Sequence, residues 1–134
     1  VAKITWKNGT SGDWSVGSAW STSTVPGALD DAFIDIGGSY VVSITAPQSV
    51  HSLTLNAAGV TVSGSSTLAL SGQLTVSAGA FALSTSGVIS GGTLIASAGG
   101  FVFNSNATLK GVTYQGVLDM SQNNANVSIQ DGIT

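Results

Sequence analysis

Glutamate, arginine and cysteine do not occur in this chain of 134 residues, and only three lysines and six aspartates carry charge. Between Ile36 and Leu109 there is no Asp, Glu, Lys or Arg, and His51 is the sole imidazole. Each gap excludes something. Without cysteine there is neither a disulfide framework nor a thiolate metal site. A formal charge of −3 and no basic stripe leave nothing to neutralise a row of phosphates, which argues against nucleic acid and against an anionic membrane surface. No apolar run approaches the roughly eighteen residues of a membrane-spanning helix, so no membrane insertion is expected. The N-terminus also lacks the charged and apolar regions of a signal peptide, so Val1 reads as the start of a mature chain or as a cut within a longer one.

Helical patterning is missing as well. No stretch keeps apolar spacings of three and four over three turns, and strong helix formers are scarce. What the chain has instead is a short apolar couplet that returns about every twenty residues. Leu53 and Leu55 are followed by Leu74 and Val76, then Leu94 and Ala96, then Leu118 and Met120. A second series runs through Val60 and Val62, Phe81 and Leu83, Phe101 and Phe103, and Val127 and Ile129. A third starts at Leu68 and Leu70 and continues through Val88 and Leu109. Ile34 and Ile36 extend the first series backwards, with Val42 and Ile44 near the second.

Inside each couplet the period is two, as in Leu53-Thr54-Leu55 and Val60-Thr61-Val62, so one face points to a core and the other to solvent. Pairs such as Gly37-Gly38, Ser71-Gly72 and Gly91-Gly92 stand between couplets, where a tight corner is needed. Three short strands per coil of about twenty residues describe a solenoid. The expected fold is all-β: a right-handed parallel β-helix of stacked coils, the handedness following the preference of parallel crossovers. A Greek-key or jelly-roll β-sandwich is the alternative, since short strands at this spacing also suit it. The expected organisation is a cap segment over residues 1–32 and coils over 33–134, within one domain. The step from Leu94 to Leu118 would lengthen one coil to 24 residues, around Asn104 to Gly116, where a binding feature would be sought first.

The first 32 residues differ in kind: they hold all three tryptophans, Trp6, Trp14 and Trp20, together with Lys3, Lys7, Asp13, Asp30 and Asp31. A solenoid end exposes an apolar cross-section and unpaired strand edges, so an atypical capping segment is expected there. The run Thr5-Trp6, Gly12-Asp13-Trp14, Ala19-Trp20, Val25-Pro26-Gly27 and Asp30-Asp31-Ala32-Phe33-Ile34 resembles the segment that opens many large bacterial secreted or surface β-helical proteins, including autotransporter-type adhesins. The resemblance covers the cap in motif and the remaining hundred residues only in texture. It implies export to the medium or the bacterial cell surface, a longer parent chain, and adhesion or display. It implies no catalytic residues.

The tryptophans admit two readings. Trp14 and Trp20, with Asp13 or Asn8 bonding hydroxyls, could stack on sugar rings as a carbohydrate-binding module, or all three could bury against Phe33, Ile34 and Tyr40 as a cap. The cap is favoured, because the end of a solenoid must be covered. Asp30, Asp31 and Asp35 supply the oxygen ligands that Ca²⁺ prefers, but no loop alternates aspartates before a closing glutamate, so turn and strand-entry roles are favoured and no metal or cofactor is expected. His51, with no carboxylate near it in sequence, reads as an exposed strand-end residue. Lys110, Asp119 and Asp131 would meet across coils as surface ion pairs. An ice-binding lattice of Thr54, Thr61 and Thr75 would be irregular, since Ile95 and Asp119 succeed Thr54 and Thr75. Three glycosylation-type triplets, beginning at Asn8, Asn106 and Asn126, fall within the chance frequency of a chain this rich in Asn, Ser and Thr.

Catalysis is not expected: carboxylate pairs and Arg or Lys bases of β-helical lyases and hydrolases have no counterpart in uncharged coils. The expected function is a non-enzymatic structural and adhesive module that displays Ser/Thr/Asn-rich faces, or loops at Ala46 to His51 and Asn104 to Thr113, to host-surface or polysaccharide glycans. Carbohydrate binding through the cap tryptophans is one alternative. End-to-end self-association through an open coil at Ile129 to Thr134 is another.

Overall fold

A computed structural model describes residues 3–83, 87–96, 100–103, 107–115 and 127–133. The chain forms a β-solenoid of about four turns. Two strands lie in the cap, β1 (Lys3–Thr5) and β2 (Gly12–Asp13). The first coil carries β3 (Asp31–Ile34), β4 (Tyr40–Ile44) and β5 (Gln48–Val50). The second consists of β6 (Ser52–Gly64), which bends across two faces, and β7 (Thr67–Leu70). The third repeats that plan with β8 (Gln73–Leu83) and β9 (Val88–Ser90). Then come β10 (Thr93–Ala96), β11 (Gly100–Phe103), β12 (Ala107–Gln115) and β13 (Val127–Ile133).

Parallel pairing sorts these strands into three faces. The first face stacks β1, β3, the starts of β6 and β8, β10 and the end of β12. The second stacks β2, β4, the later parts of β6 and β8, and β11. The third stacks β5, β7, β9, the start of β12, and β13. Because residues in register lie directly above one another, alternation within a strand becomes columns along the solenoid axis. Ala32, Leu53, Leu74 and Leu94 form one inward column, and Ile34, Leu55 and Val76 form the next, all without solvent exposure. Val42, Val62 and Phe81 line the second face, and Leu68, Ile89 and Leu109 the third.

The strand count per coil and the inward–outward alternation are those expected, but several couplets sit two places from their expected partners. Ile34 pairs with Leu55 rather than Leu53, and Ile36 lies in the turn beyond β3. Val62, not Val60, stands beside Phe81, and Gly64 faces Leu83. On the third face the slip is of one place instead: Ile89 continues from Leu68 to Leu109, and Val88 pairs with Thr67 and Thr108 on the opposite side of the strand. A shift of two keeps every side chain on its own face, so hydrophobic alternation alone cannot detect it.

The expected 24-residue coil is also corrected. Leu94 pairs with Tyr114, so the period stays at 20 there, and Leu118 and Met120 lie outside the described residues. Val127 and Ile129 pair with Ala107 and Leu109 on the third face, instead of continuing the second. The supposed loops carry strands: β5 occupies Gln48–Val50, and β12 runs unbroken from Ala107 to Gln115.

Corners hold the coils close enough for these ladders. At Gly79, with φ of +83°, an added Cβ would lie 2.5 Å from the carbonyl oxygens of Ala57 and Val60, so the corner admits only glycine. Backbone bonds also continue through the corner that joins the third face to the first: Gly72 donates to His51 O at 2.7 Å, and Thr93 donates to Gly72 O at 2.9 Å.

The cap and the coils share one sheet. Lys3, Ile4 and Thr5 pair in parallel with Asp31, Ala32 and Phe33, and Gly12 and Asp13 pair with Val42 and Ser43. The outer edge of β1 is then closed by an antiparallel segment: Ser21 N donates to Thr5 O at 2.8 Å, Lys7 N donates to Ala19 O at 2.9 Å, and Trp6 bridges Trp20. An edge whose amides and carbonyls are spent in this way offers no template for another strand.

Candidate functional site

All three tryptophans are buried. Trp14 and Trp20 have no accessible surface, and Trp6 retains 2%. Trp20 meets Trp6 edge to face at a centroid distance of 5.1 Å and Trp14 at 4.8 Å, the geometry aromatic quadrupoles prefer. Trp20 donates its Nε1–H to Trp14 O at 2.9 Å, and Trp6 Nε1–H donates to Thr10 O at 3.2 Å. The Trp14 Nε1–H is buried without an acceptor among the described residues. Trp14 and Trp20 therefore have no face on which a sugar ring could stack, which corrects their candidacy as ligand residues and leaves the capping role expected of a solenoid end.

Asp13, the third candidate, sits at the rim of the cap. Its Oδ1 accepts from Ser15 Oγ and Ser15 N, and its Oδ2 accepts from Thr45 Oγ1. These bonds, with Ser15 Oγ first and Thr45 second, hold the carboxyl below the ordinary carboxylate value. Asp13 also lines a recess of about 230 Å³ with Trp6, Asn8, Thr10, Val16 and Ser18.

Asp30 and Asp31 are engaged locally. Asp30 Oδ2 accepts from Gly27 N at 2.8 Å, a turn role of the kind expected. Asp31 Oδ1 accepts from Ser52 Oγ at 2.6 Å and lies 2.7 Å from His51 Nδ1. Both contacts lower the Asp31 pKa, with Ser52 the larger cause. His51 is thus not the partnerless strand-end residue the sequence suggested. The signal is present in the sequence, since Asp31 stands twenty positions before His51 and a residue one period back in a solenoid is a spatial neighbour.

Aspartate, histidine and serine in contact invite comparison with a nucleophilic triad. A triad needs the hydroxyl on one imidazole nitrogen and the carboxylate on the other. Here Ser52 and His51 both bind the same oxygen of Asp31, so the serine donates to the carboxylate and not to the imidazole, which is not the order of a triad. Lys110 stands beside Ser90 and Gln130, and Asp119 lies outside the described residues.

On the first face the outward positions form two columns. Ser52, Gln73, Thr93 and Thr113 lie in one, and Thr54, Thr75 and Ile95 in the other. Ile95 follows Thr75 as expected, but Gln115 rather than Asp119 takes the next place. The hydroxyls of Thr54, Thr75, Thr93 and Thr113 have no hydrogen-bond partner among the described residues. Parallel strands set successive members of a column about 4.8 Å apart.

No family model, no curated protein and no solved structure matches this chain.

Proposed function

We propose that this chain is a non-enzymatic display module of a secreted or surface protein, a rigid rod that offers a flat hydroxyl-lined face to a glycan-rich partner. The observation that carries this reading is the first face itself, where threonine hydroxyls recur in register on consecutive coils and are not spent on the protein's own backbone. A sheet fixed by backbone ladders orders these groups before any partner arrives, so binding them costs little further entropy. Export is supported by the scarcity of charge, the lack of cysteine and the resemblance of the cap segment to bacterial surface proteins.

The test is adhesion of the purified domain to immobilised polysaccharides and to a glycan array, beside a variant carrying Thr54→Val, Thr75→Val, Thr93→Val and Thr113→Val. Valine keeps shape and β propensity while removing the hydroxyl. Retained melting with lost adhesion is the expected result. Adhesion equal to that of the parent would remove the first face from consideration.

A further inference from the structure

We propose that the recess in the cap is a binding site for a single neutral glycosyl unit, separate from the hydroxyl face and built from residues the display role does not use. Its volume of about 230 Å³ lies below the range of roughly 300–1,000 Å³ for drug-sized ligands, so it suits one ring rather than a chain. Its lining combines a small apolar wall with a polar rim. Val16, nearly half exposed, supplies most of that wall, beside Trp6, which lines the recess while only 2% of the residue stays accessible.

The rim is composed of Asn8, Thr10, Asp13 and Ser18. The side chains of Asn8, Thr10 and Ser18 are exposed and have no hydrogen-bond partner among the described residues. A carboxamide both donates and accepts, and each hydroxyl does the same, which is what vicinal sugar hydroxyls require of a site. The apolar wall then faces the C–H surface of the ring.

Other ligand classes fit less well. An anion would meet the Asp13 carboxylate, and no lysine or histidine lines the recess. A metal ion would find a single carboxylate whose two oxygens already accept bonds from Ser15 and Thr45. A wholly apolar ligand would leave the rim groups desolvated without partners.

The rim is also held in place beforehand. The Trp6 Nε1–H bond to Thr10 O ties the Asn8–Thr10 loop to the buried indole cluster. Asp13 is fixed from β4's end by Thr45 and paired through β2 to Ser43. Ser18 lies in the 3₁₀ turn Gly17–Ala19, whose Ala19 O is bonded by Lys7 N. Such preorganisation lowers the entropy lost on binding.

The test is a titration of the ¹⁵N-labelled domain with methyl glycosides of neutral hexoses and N-acetylhexosamines, following the indole N–H of Trp6. Trp14 and Trp20 serve as buried references, and glycerol as the control polyol. The expected result is a saturable shift at Trp6 and at the amides of residues 8–18. Asn8→Ala with Ser18→Ala should raise the ligand concentration at half-saturation about ten-fold, as the loss of two hydrogen bonds implies. Both positions are exposed, and Thr10→Val supplies a second lesion with the same expected direction. The proposal is overturned by an absent or non-saturating shift, by an equal response to glycerol, or by unchanged binding in both variants. Shifts confined to Thr54, Thr75, Thr93 and Thr113 would overturn it while leaving the display face standing, and the quadruple valine variant should bind methyl glycosides at the recess like the parent.

Discussion

His51 and Asp31 are twenty positions apart in sequence and one coil apart in space, with Nδ1 and Oδ1 separated by 2.7 Å. Asp31 opens β3, where the sheet passes from cap to coils, and the same oxygen takes the Ser52 hydroxyl. Asp13 plays a comparable part on the second face, where it reaches Thr45 just beyond the end of β4. Asp13 therefore fastens the cap to the first coil and Asp31 fastens the first coil to the second, in a chain that has only six aspartates.

Acid should loosen those fastenings. Both carboxyls are held below their ordinary value of 3.8, so the native state binds their protons less readily than the unfolded state. Their stabilising contribution is present above the unfolded value and is lost as pH falls through the lower native values. Urea midpoints measured in steps below pH 4 should decline, and Asp31→Asn combined with Asp13→Asn should flatten that decline while lowering stability at neutral pH. A decline of equal steepness in the double variant would assign acid sensitivity elsewhere.

The indole cluster should respond to the loss of one hydrogen bond. Trp20→Phe keeps an aromatic ring but removes the donor to Trp14 O, leaving a buried carbonyl unpaired at a cost of roughly 1–3 kcal/mol. Trp20→Ala, which also opens a cavity, should cost about 3–5 kcal/mol. Denaturant midpoints should rank parent, Trp20→Phe, Trp20→Ala. A fully stable Trp20→Ala would mean that the cap is not part of the cooperative core.

Glycine corners offer a paired comparison. Gly79→Ala forces a Cβ toward two carbonyl oxygens at positive φ and should lose more than about 1 kcal/mol. At Gly37 an added Cβ meets nothing within 4 Å, so Gly37→Ala should be neutral or slightly stabilising. Equal thermal midpoints for the two variants would contradict the corner geometry.

The period of about twenty and the split between inward Leu55 or Val76 and outward Thr54 or Thr75 could be read directly, because each coil repeats the same burial demand. Register could not. Ile34 against Leu55, and Val62 against Phe81, differ from the expected pairs by two positions, a change that leaves the hydrophobic pattern intact. Trp14 and Trp20 illustrate a second limit, since an indole in a cap and one in a sugar site look alike until burial is known. The recess stayed unseen for a third reason: Asn8, Thr10 and Ser18 are ordinary loop residues in sequence, and only β2 and the neighbouring turn place them around one hollow.

The core column through Phe81 supports the sharpest stability test. Phe81 is fully buried, with Val62 in register on one side and Phe101 on the other. An aspartate there would place an ionised carboxylate in an apolar column with no cation within reach of the central coils, a cost that exceeds the stability of a domain this size. Phe81→Asp should therefore fail to fold, by loss of the β signal in far-ultraviolet circular dichroism. Phe81→Ala should fold with a loss of about 3–5 kcal/mol, since its cavity is lined by neighbours held in place by ladders that cannot collapse inward. A Phe81→Asp protein that melts like the parent would show that β8 turns the opposite face to the core, and with it every strand paired to β8 in register.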